Sequence, residues 1–286
     1  MRFAVKTAPQ HSTWPNMLAL WQEADRIELF EAAWNFDHFE PIFSDRTGPC
    51  LEGWTMLAAM AGYTSRIKLG CQVTGMPYRH PAVLANMAAT IDIMTGGRLI
   101  IGLGAGWNQD ECDALGLTLP PLKERFERFF EGTEVLISLL SNEVSNFDGK
   151  HFQLRDARCE PKPIQRPHPP IAIGGNGEKK TLLAVARWAQ HWNTTTGDIE
   201  EWKRKKEVLL RHCANVGRNP AEIECSVNIR YDPKTGASAV ADTAHRWVEA
   251  GADYAVINFS PPHSPQPLAA IASALQPLAP KRATAS

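Results

Sequence analysis

Apolar positions along the chain switch repeatedly between two periods. Short runs rich in β-branched and aromatic residues, Phe3 to Thr7, Glu28 to Phe36, Ile67 to Val73 and Arg98 to Leu103, read as buried strands. Between them, Trp14 to Ile27, Trp54 to Ser65 and Ala82 to Met94 carry apolar residues at helical spacing. The alternation lapses from Gly104 to Pro170. Here Leu122 to Ser141 is an amphipathic helix, Asn146 to Leu154 reads as a hairpin with an Asp-Gly turn, and the proline-rich tract Glu160 to Pro170 fits only an ordered connection. Regular order then resumes with strands at 170–173, 191–195, 222–229 and 254–258, alternating with helices at 178–188, 198–216, 238–250 and 266–278. Eight strand-helix units predict an α/β fold of the (β/α)8 TIM-barrel type. It is one domain over 1–286 with an insertion, 104–170, after the fourth strand. The end of the chain, 280–286, is small and polar and is expected to be loose.

Composition narrows the function. With 44% hydrophobic and 21% charged residues the chain can bury a large core. A net charge of -1 without a basic stripe argues against nucleic-acid or anionic-membrane partners and leaves a small molecule as the expected one. No apolar run approaches a membrane span, and six cysteines without Cys-x-x-Cys spacing suit a reducing compartment, so a cytoplasmic protein is expected.

In parallel α/β folds, ligands gather beyond the carboxyl ends of the strands, where loops converge on a rigid frame. Several residues fall there. Gly102-Leu-Gly104-Ala-Gly106 lacks the third glycine of a dinucleotide fingerprint, so these glycines either line a ligand or make a tight turn at the rim. Gly174-Gly175-Asn176-Gly177 precedes a helix, where backbone amides suit an anion; the competing reading is a strand turn that needs positive φ. Asp37-His38 ends the second strand, as a tuned acid-base pair would, though a rim histidine is often structural. Arg79-His80-Pro81 is expected to set a helix start and pair with acids. The histidines at 151, 168, 191, 212, 245 and 263 lack ligand spacing, so no metal is expected. Of nine tryptophans, Trp34 and Trp107 lie near strand ends, where a ligand can reach them.

Taken in order, Trp34-Asn-Phe-Asp37-His38-Phe39, Ile67 to Val73 with Arg79-His80-Pro81, Met94-Thr-Gly-Gly-Arg98-Leu, Gly102 to Asn108, Glu160-Pro-Lys-Pro and Pro170 to Gly175 resemble the luciferase-like monooxygenase superfamily, in particular its coenzyme F420-dependent oxidoreductases. The resemblance implies a barrel with a flavin or deazaflavin ring in its mouth, backed by a bulge within Cys71 to Thr74 and a non-prolyl cis peptide at Gln72-Val73. Gln72, Val73 and Thr74 would then contact the ring, and Gly104, Ala105, Gly106 with Gly174, Gly175, Asn176 and Gly177 would hold the phosphate. Asp37 and His38 match the family's catalytic acid-histidine pair, and Trp34 and Trp107 would face the substrate. Sugar-phosphate dehydrogenases of the family place glutamate where Trp107 stands, so an apolar or aromatic substrate is expected instead. The resemblance favours F420 as cofactor, with FMN as the alternative, and hydride transfer as the chemistry. An FMN-dependent monooxygenase and a non-catalytic flavin-binding barrel are the competing readings. It also implies a homodimer, for which Trp54, Met56, Leu57, Met60 and Met87 are candidate apolar contacts that could equally pack onto the barrel.

Overall fold

The structure, a computed structural model, describes residues 1–280. The expected loose tail lies outside the described residues from 281 onward. The first half of the barrel runs β1 (Arg2–Thr7), α1 (Trp14–Arg26), β2 (Phe30–Asn35), α2 (Gly53–Tyr63), β3 (Lys68–Cys71) with its continuation β4 (Thr74–Gly75), α3 (Pro81–Met94) and β5 (Leu99–Gly104). Next come α4 (Gln109–Leu115), α5 (Leu122–Ser141) and an antiparallel hairpin of β6 (Ser145–Asp148) and β7 (Gln153–Ala157). The second half is β8 (Ile171–Gly174), α6 (Thr181–Trp188), β9 (His191–Asn193), α7 (Ile199–Val216), β10 (Glu224–Arg230), α8 (Gly236–Glu249), β11 (Tyr254–Phe259) and α9 (Leu268–Leu275).

All barrel pairings are parallel, and β3 meets β5 to close the ring through Leu69↔Leu99 and Gly70↔Ile100. Parallel strands covered on both faces are apolar throughout, as the fully buried Leu-Ile-Ile-Gly-Leu-Gly of β5 shows. Ala4, Ala32, Trp34, Ile100, Ala172, Tyr254 and Val256 fill the barrel interior. Close approach of β5 to β3 depends on Gly102, where a Cβ would lie 1.8 Å from the Cys71 carbonyl oxygen. Residues 72 and 73 leave the ladder before β4 resumes it with Thr74↔Leu103, and the Gln72-Val73 peptide is cis, at the place expected.

The stretch 104–170 divides into two kinds of structure. α5 lies in the outer ring between α3 and α6, with Phe130 edge-on to Trp188 at 5.1 Å, so it is the helix of the fourth unit. What is added to the repeat is α4 and the hairpin. The proline tract returns the chain through Gln165, whose backbone N–H and side-chain amide donate to the Asp92 carboxylate.

Boundaries differ where local capping intervenes. Glu28 and Leu29 form a turn, so β2 starts at Phe30. Asn219 caps a single 3-10 turn over Pro220–Glu222, which delays β10 to Glu224. α6 begins at Thr181, three residues after the expected Glu178. Trp54, Met56, Leu57 and Met60 are buried within the chain against the barrel, and Met87 is partly buried, so they do not form an outward face. None of the six cysteines is paired, and no helix among the described residues is long and apolar enough to cross a membrane.

Candidate functional site

A cavity of about 690 Å³ opens at the carboxyl ends of the strands. Its wall is drawn from residues on or just beyond β1, β2, β3, β5, β8, β9 and β10, so seven of the eight barrel strands fix its shape. The Gln72-Val73 step forms one side. Val73 nests between two glycines: a Cβ at Gly104 would lie 2.7 Å from one Val73 methyl, and a Cβ at Gly174 would lie 3.0 Å from the other. These glycines are therefore needed for backbone approach to the bulge. Gly75, Gly104, Ala105, Gly106, Gly174 and Gly175 all line the cavity. Gly106 and Gly175 adopt φ of +87° and +117°, which disfavour a side chain.

His38 lines the same cavity. Its Nδ1 lies 2.8 Å from a carboxylate oxygen of Glu111, and the Tyr78 hydroxyl donates to that same oxygen at 2.5 Å. The other Glu111 oxygen accepts the Phe39 backbone N–H at 2.6 Å. Burial pushes the Glu111 carboxyl up, but hydrogen bonds from His38, Tyr78 and Phe39 outweigh it and hold the group below the usual glutamate range. Glu111 is thus an anion. A carboxylate only accepts, so Nδ1 carries the proton of the His38–Glu111 hydrogen bond, and Nε2 is the nitrogen left for proton exchange on a ring that lines the cavity. Phe36 and Trp107 pack edge-on to the imidazole, with centroids at 5.1 and 5.4 Å. Glu111 sits in the first turn of α4, whose N-terminus is capped by Asn108. Neither Glu111 nor Tyr78 was marked by sequence spacing; an acid in a short helix just past a strand end was the available signal.

Asp37 takes a different role from its neighbour. Its carboxylate is buried and accepts both terminal nitrogens of Arg79, which also reaches Glu52 at 3.1 Å. Burial raises the Asp37 carboxyl to about 6, and Arg79 offsets only part of that rise. Alternation along the strand end turns Asp37 away from the cavity and His38 toward it, so the expected pair is split. Arg79 pairs with acids as expected, and the His80 imidazole caps α3 by accepting from Ala82 N–H.

Trp34 also lies elsewhere than expected. It is fully buried in the barrel interior, edge-on to His191 at 5.7 Å. Gly70 makes room for it, since a Cβ there would come within 2.6 Å of the indole. Thr74 is buried and accepts the Trp54 indole N–H, so it braces the bulge from behind. Asn176 ties its loop to Thr194 and Thr195, and neither it nor Gly177 lines the cavity. Gly175 donates its N–H to the Asn193 carbonyl, so it offers close approach and not a free donor. Trp107 is in the wall, half exposed, with Phe43 stacked on it at 5.3 Å and 5°.

The cavity is polar at its floor and apolar toward the mouth. Lys6, Gln72, Asn193 and Asn228 supply the floor, linked by Lys6 Nζ to the Gln72 carbonyl at 2.9 Å and by the Asn228 side-chain N–H to the Asn193 side-chain oxygen at 3.1 Å. Both polar side-chain atoms of Gln72 are buried without a protein partner. Burial lowers the Lys6 ammonium to about 8. Phe36, Ile42, Phe43, Trp107, Leu122 and Phe126 form the outer wall. Arg125 joins it from α5, donating to the carbonyls of Gly106 and Pro120.

Residues 1–278 match the family described as luciferase-like monooxygenase. An uncharacterised protein of Mycobacterium tuberculosis is 32% identical over 208 residues, 72% of this chain and 69% of its own length. An F420-dependent glucose-6-phosphate dehydrogenase of Microbacterium testaceum is 30% identical over 209 residues, 71% of this chain and 61% of that one. Among solved structures, an F420-dependent secondary alcohol dehydrogenase in complex with an F420-acetone adduct superimposes with a TM-score of 0.85 at 19% identity, covering 98% of this chain and 99% of that one. That likeness bears on the fold.

Proposed function

The chain belongs to the luciferase-like monooxygenase family, and from that premise we propose that it is an oxidoreductase that takes coenzyme F420 in the barrel mouth and exchanges hydride with a small, uncharged, apolar or aromatic substrate. One observation carries the chemistry: the His38 imidazole, held at Nδ1 by an ionised Glu111, lines the same cavity as the Gln72-Val73 platform.

The residues present fit a tricyclic ring with a phosphate-bearing tail. A flat group can lie on the bulge because Gly104 and Gly174 keep the backbone close behind Val73. The unpartnered Gln72 amide is a buried donor and acceptor of the kind that a ring carrying carbonyl and N–H groups satisfies. Arg125, the Thr181 hydroxyl and the Gly104 to Gly106 turn would hold the phosphate. When bound, F420 supplies a ring carbon that accepts or donates hydride.

His38 accepts at Nε2 the proton of a substrate hydroxyl, or returns it in the reverse direction. Glu111 and Tyr78 keep the imidazole in the tautomer that does so, and the Glu111 charge stabilises the imidazolium that forms. The outer apolar wall excludes water and favours an uncharged substrate. Trp107 presents an aromatic face where a sugar-phosphate enzyme of the family would carry a glutamate. A homodimer is part of the proposal. Tyr63, Val83 and Met94 are about half exposed on α2 and α3, and Asp92, the one charged residue in these two helices, is buried.

Fluorescence titration of the purified apo-protein with F420 and, separately, FMN tests the cofactor. Tighter F420 binding is expected. Preference for FMN would turn the reading to oxygen activation, and binding of neither would favour a non-catalytic barrel.

A further inference from the structure

Two floor residues of the cavity are left without the partners their chemistry requires. Gln72 is 5% exposed, and both its amide oxygen and its amide nitrogen lack a hydrogen bond. Leaving such groups unmet is costly, so an amide buried this way is poised for a ligand edge carrying both a donor and an acceptor. Lys6, on β1, lines the same cavity. Its amine makes one hydrogen bond, to the Gln72 backbone carbonyl, and no carboxylate pairs with it among the described residues. A partly buried ammonium without a counter-charge is costly, and burial lowers it to about 8. β1 thereby places a positive charge against the peptide that forms the ring platform.

Resting on the F420 reading above, we propose that Gln72 and Lys6 together form the polar-edge subsite of the ring, in which Gln72 pairs with an adjacent carbonyl and N–H, and Lys6 balances the charge gained with the hydride. In the oxidative direction a substrate C–H bond breaks and its electron pair moves with the hydrogen to the ring carbon. The hydroxyl proton passes to His38 and the substrate C=O forms. The ring has then gained two electrons and one proton, hence one unit of negative charge. A fixed cation at the floor stabilises that form more than the oxidised one, and a neutral amide does not discriminate between them. Gln72 therefore sets affinity, while Lys6 sets the balance between the two redox forms.

The test is binding, not turnover. Dissociation constants of oxidised and chemically reduced F420 are measured for wild type, Lys6→Gln, Lys6→Arg and Gln72→Leu, with circular dichroism as the check on folding. Lys6→Gln keeps an amide donor but loses the charge; it should weaken the reduced form about tenfold more than the oxidised form. For a two-electron couple that ratio lowers the midpoint potential of the bound cofactor by about 30 mV. Lys6→Arg, which keeps the charge, should retain the wild-type ratio and serves as the folded comparison if Lys6→Gln is unstable. Gln72→Leu should weaken both forms alike, by about tenfold, with the ratio unchanged. An unaltered ratio in Lys6→Gln, or a ratio lost in Lys6→Arg, removes the role of Lys6; unchanged affinity in Gln72→Leu removes that of Gln72. Wild-type protein that binds neither form overturns the F420 reading itself, a result distinct from failure of the subsite.

Discussion

The Nδ1 of His38 and the carboxylate of Glu111 meet at 2.8 Å although 73 positions separate them in the chain. The pair joins the end of β2 to a short helix after β5, and it fixes which imidazole nitrogen is open to the cavity. His38→Ala should lower kcat by about 10²- to 10⁴-fold. Glu111→Gln should lower it by at least about tenfold, because the amide can stabilise the wrong tautomer. Single-turnover kinetics beside F420 titration would check this: both variants should bind cofactor as wild type does, and a Glu111→Gln enzyme of full activity would remove Glu111 from the mechanism.

Asp37 is expected to matter for stability and not for proton transfer. Asp37→Ala leaves the partly buried Arg79 guanidinium without its main partner, at a cost of about 3–5 kcal/mol. Urea unfolding should show that loss while the folded fraction keeps most of its kcat. The opposite pattern, intact stability with turnover as low as in His38→Ala, would put Asp37 in the proton path.

Two glycines of one motif should respond differently to alanine. At Gly102 the new methyl group meets the Cys71 backbone carbonyl, which cannot move without opening the β3–β5 seam, so a loss of about 3 kcal/mol or more is expected. At Gly104 it meets the Val73 side chain, so Gly104→Ala should fold and lose cofactor affinity. Thermal melts paired with titrations distinguish the two effects.

His191 gives the fold a pH dependence. Burial inside the barrel lowers its pKa to about 3, against an ordinary value of 6.5, and its Nε2 lies 2.6 Å from the Ser226 hydroxyl. The unfolded chain takes up this proton below pH 6.5 and the folded one does not, so the stabilisation is complete above 6.5 and declines toward pH 3. The slope from this one group is at most about 1.4 kcal/mol per pH unit. His191→Gln should flatten the dependence between pH 6 and 4 in urea unfolding; an equal slope in the variant would assign it to other groups.

Val83→Glu places a charge on the uncharged outer face of α3. It should convert a dimer to a monomer in sedimentation velocity while the far-ultraviolet spectrum is retained. A wild-type protein that sediments as a monomer would remove the homodimer from the proposal.

The sequence by itself determined the barrel, because each strand-helix unit buries its own apolar period and eight such units have few ways to close. The resemblance to a family placed the bulge at Gln72-Val73, whereas the packing of Gly104 and Gly174 against Val73 came only with the tertiary structure. Arg79 and His80 were legible for a local reason: a helix start announces its cap and its charge partners. Tertiary structure alone decided which side chains share the cavity. One step along the strand end turns His38 inward and Asp37 away, and Gly70 opens the interior space that draws Trp34 below the floor. Glu111, Tyr78 and Lys6 join the site from three separate elements, and no spacing along the chain records that meeting. Their chemistry depends on distance and burial in space, which the barrel sets only once it has closed.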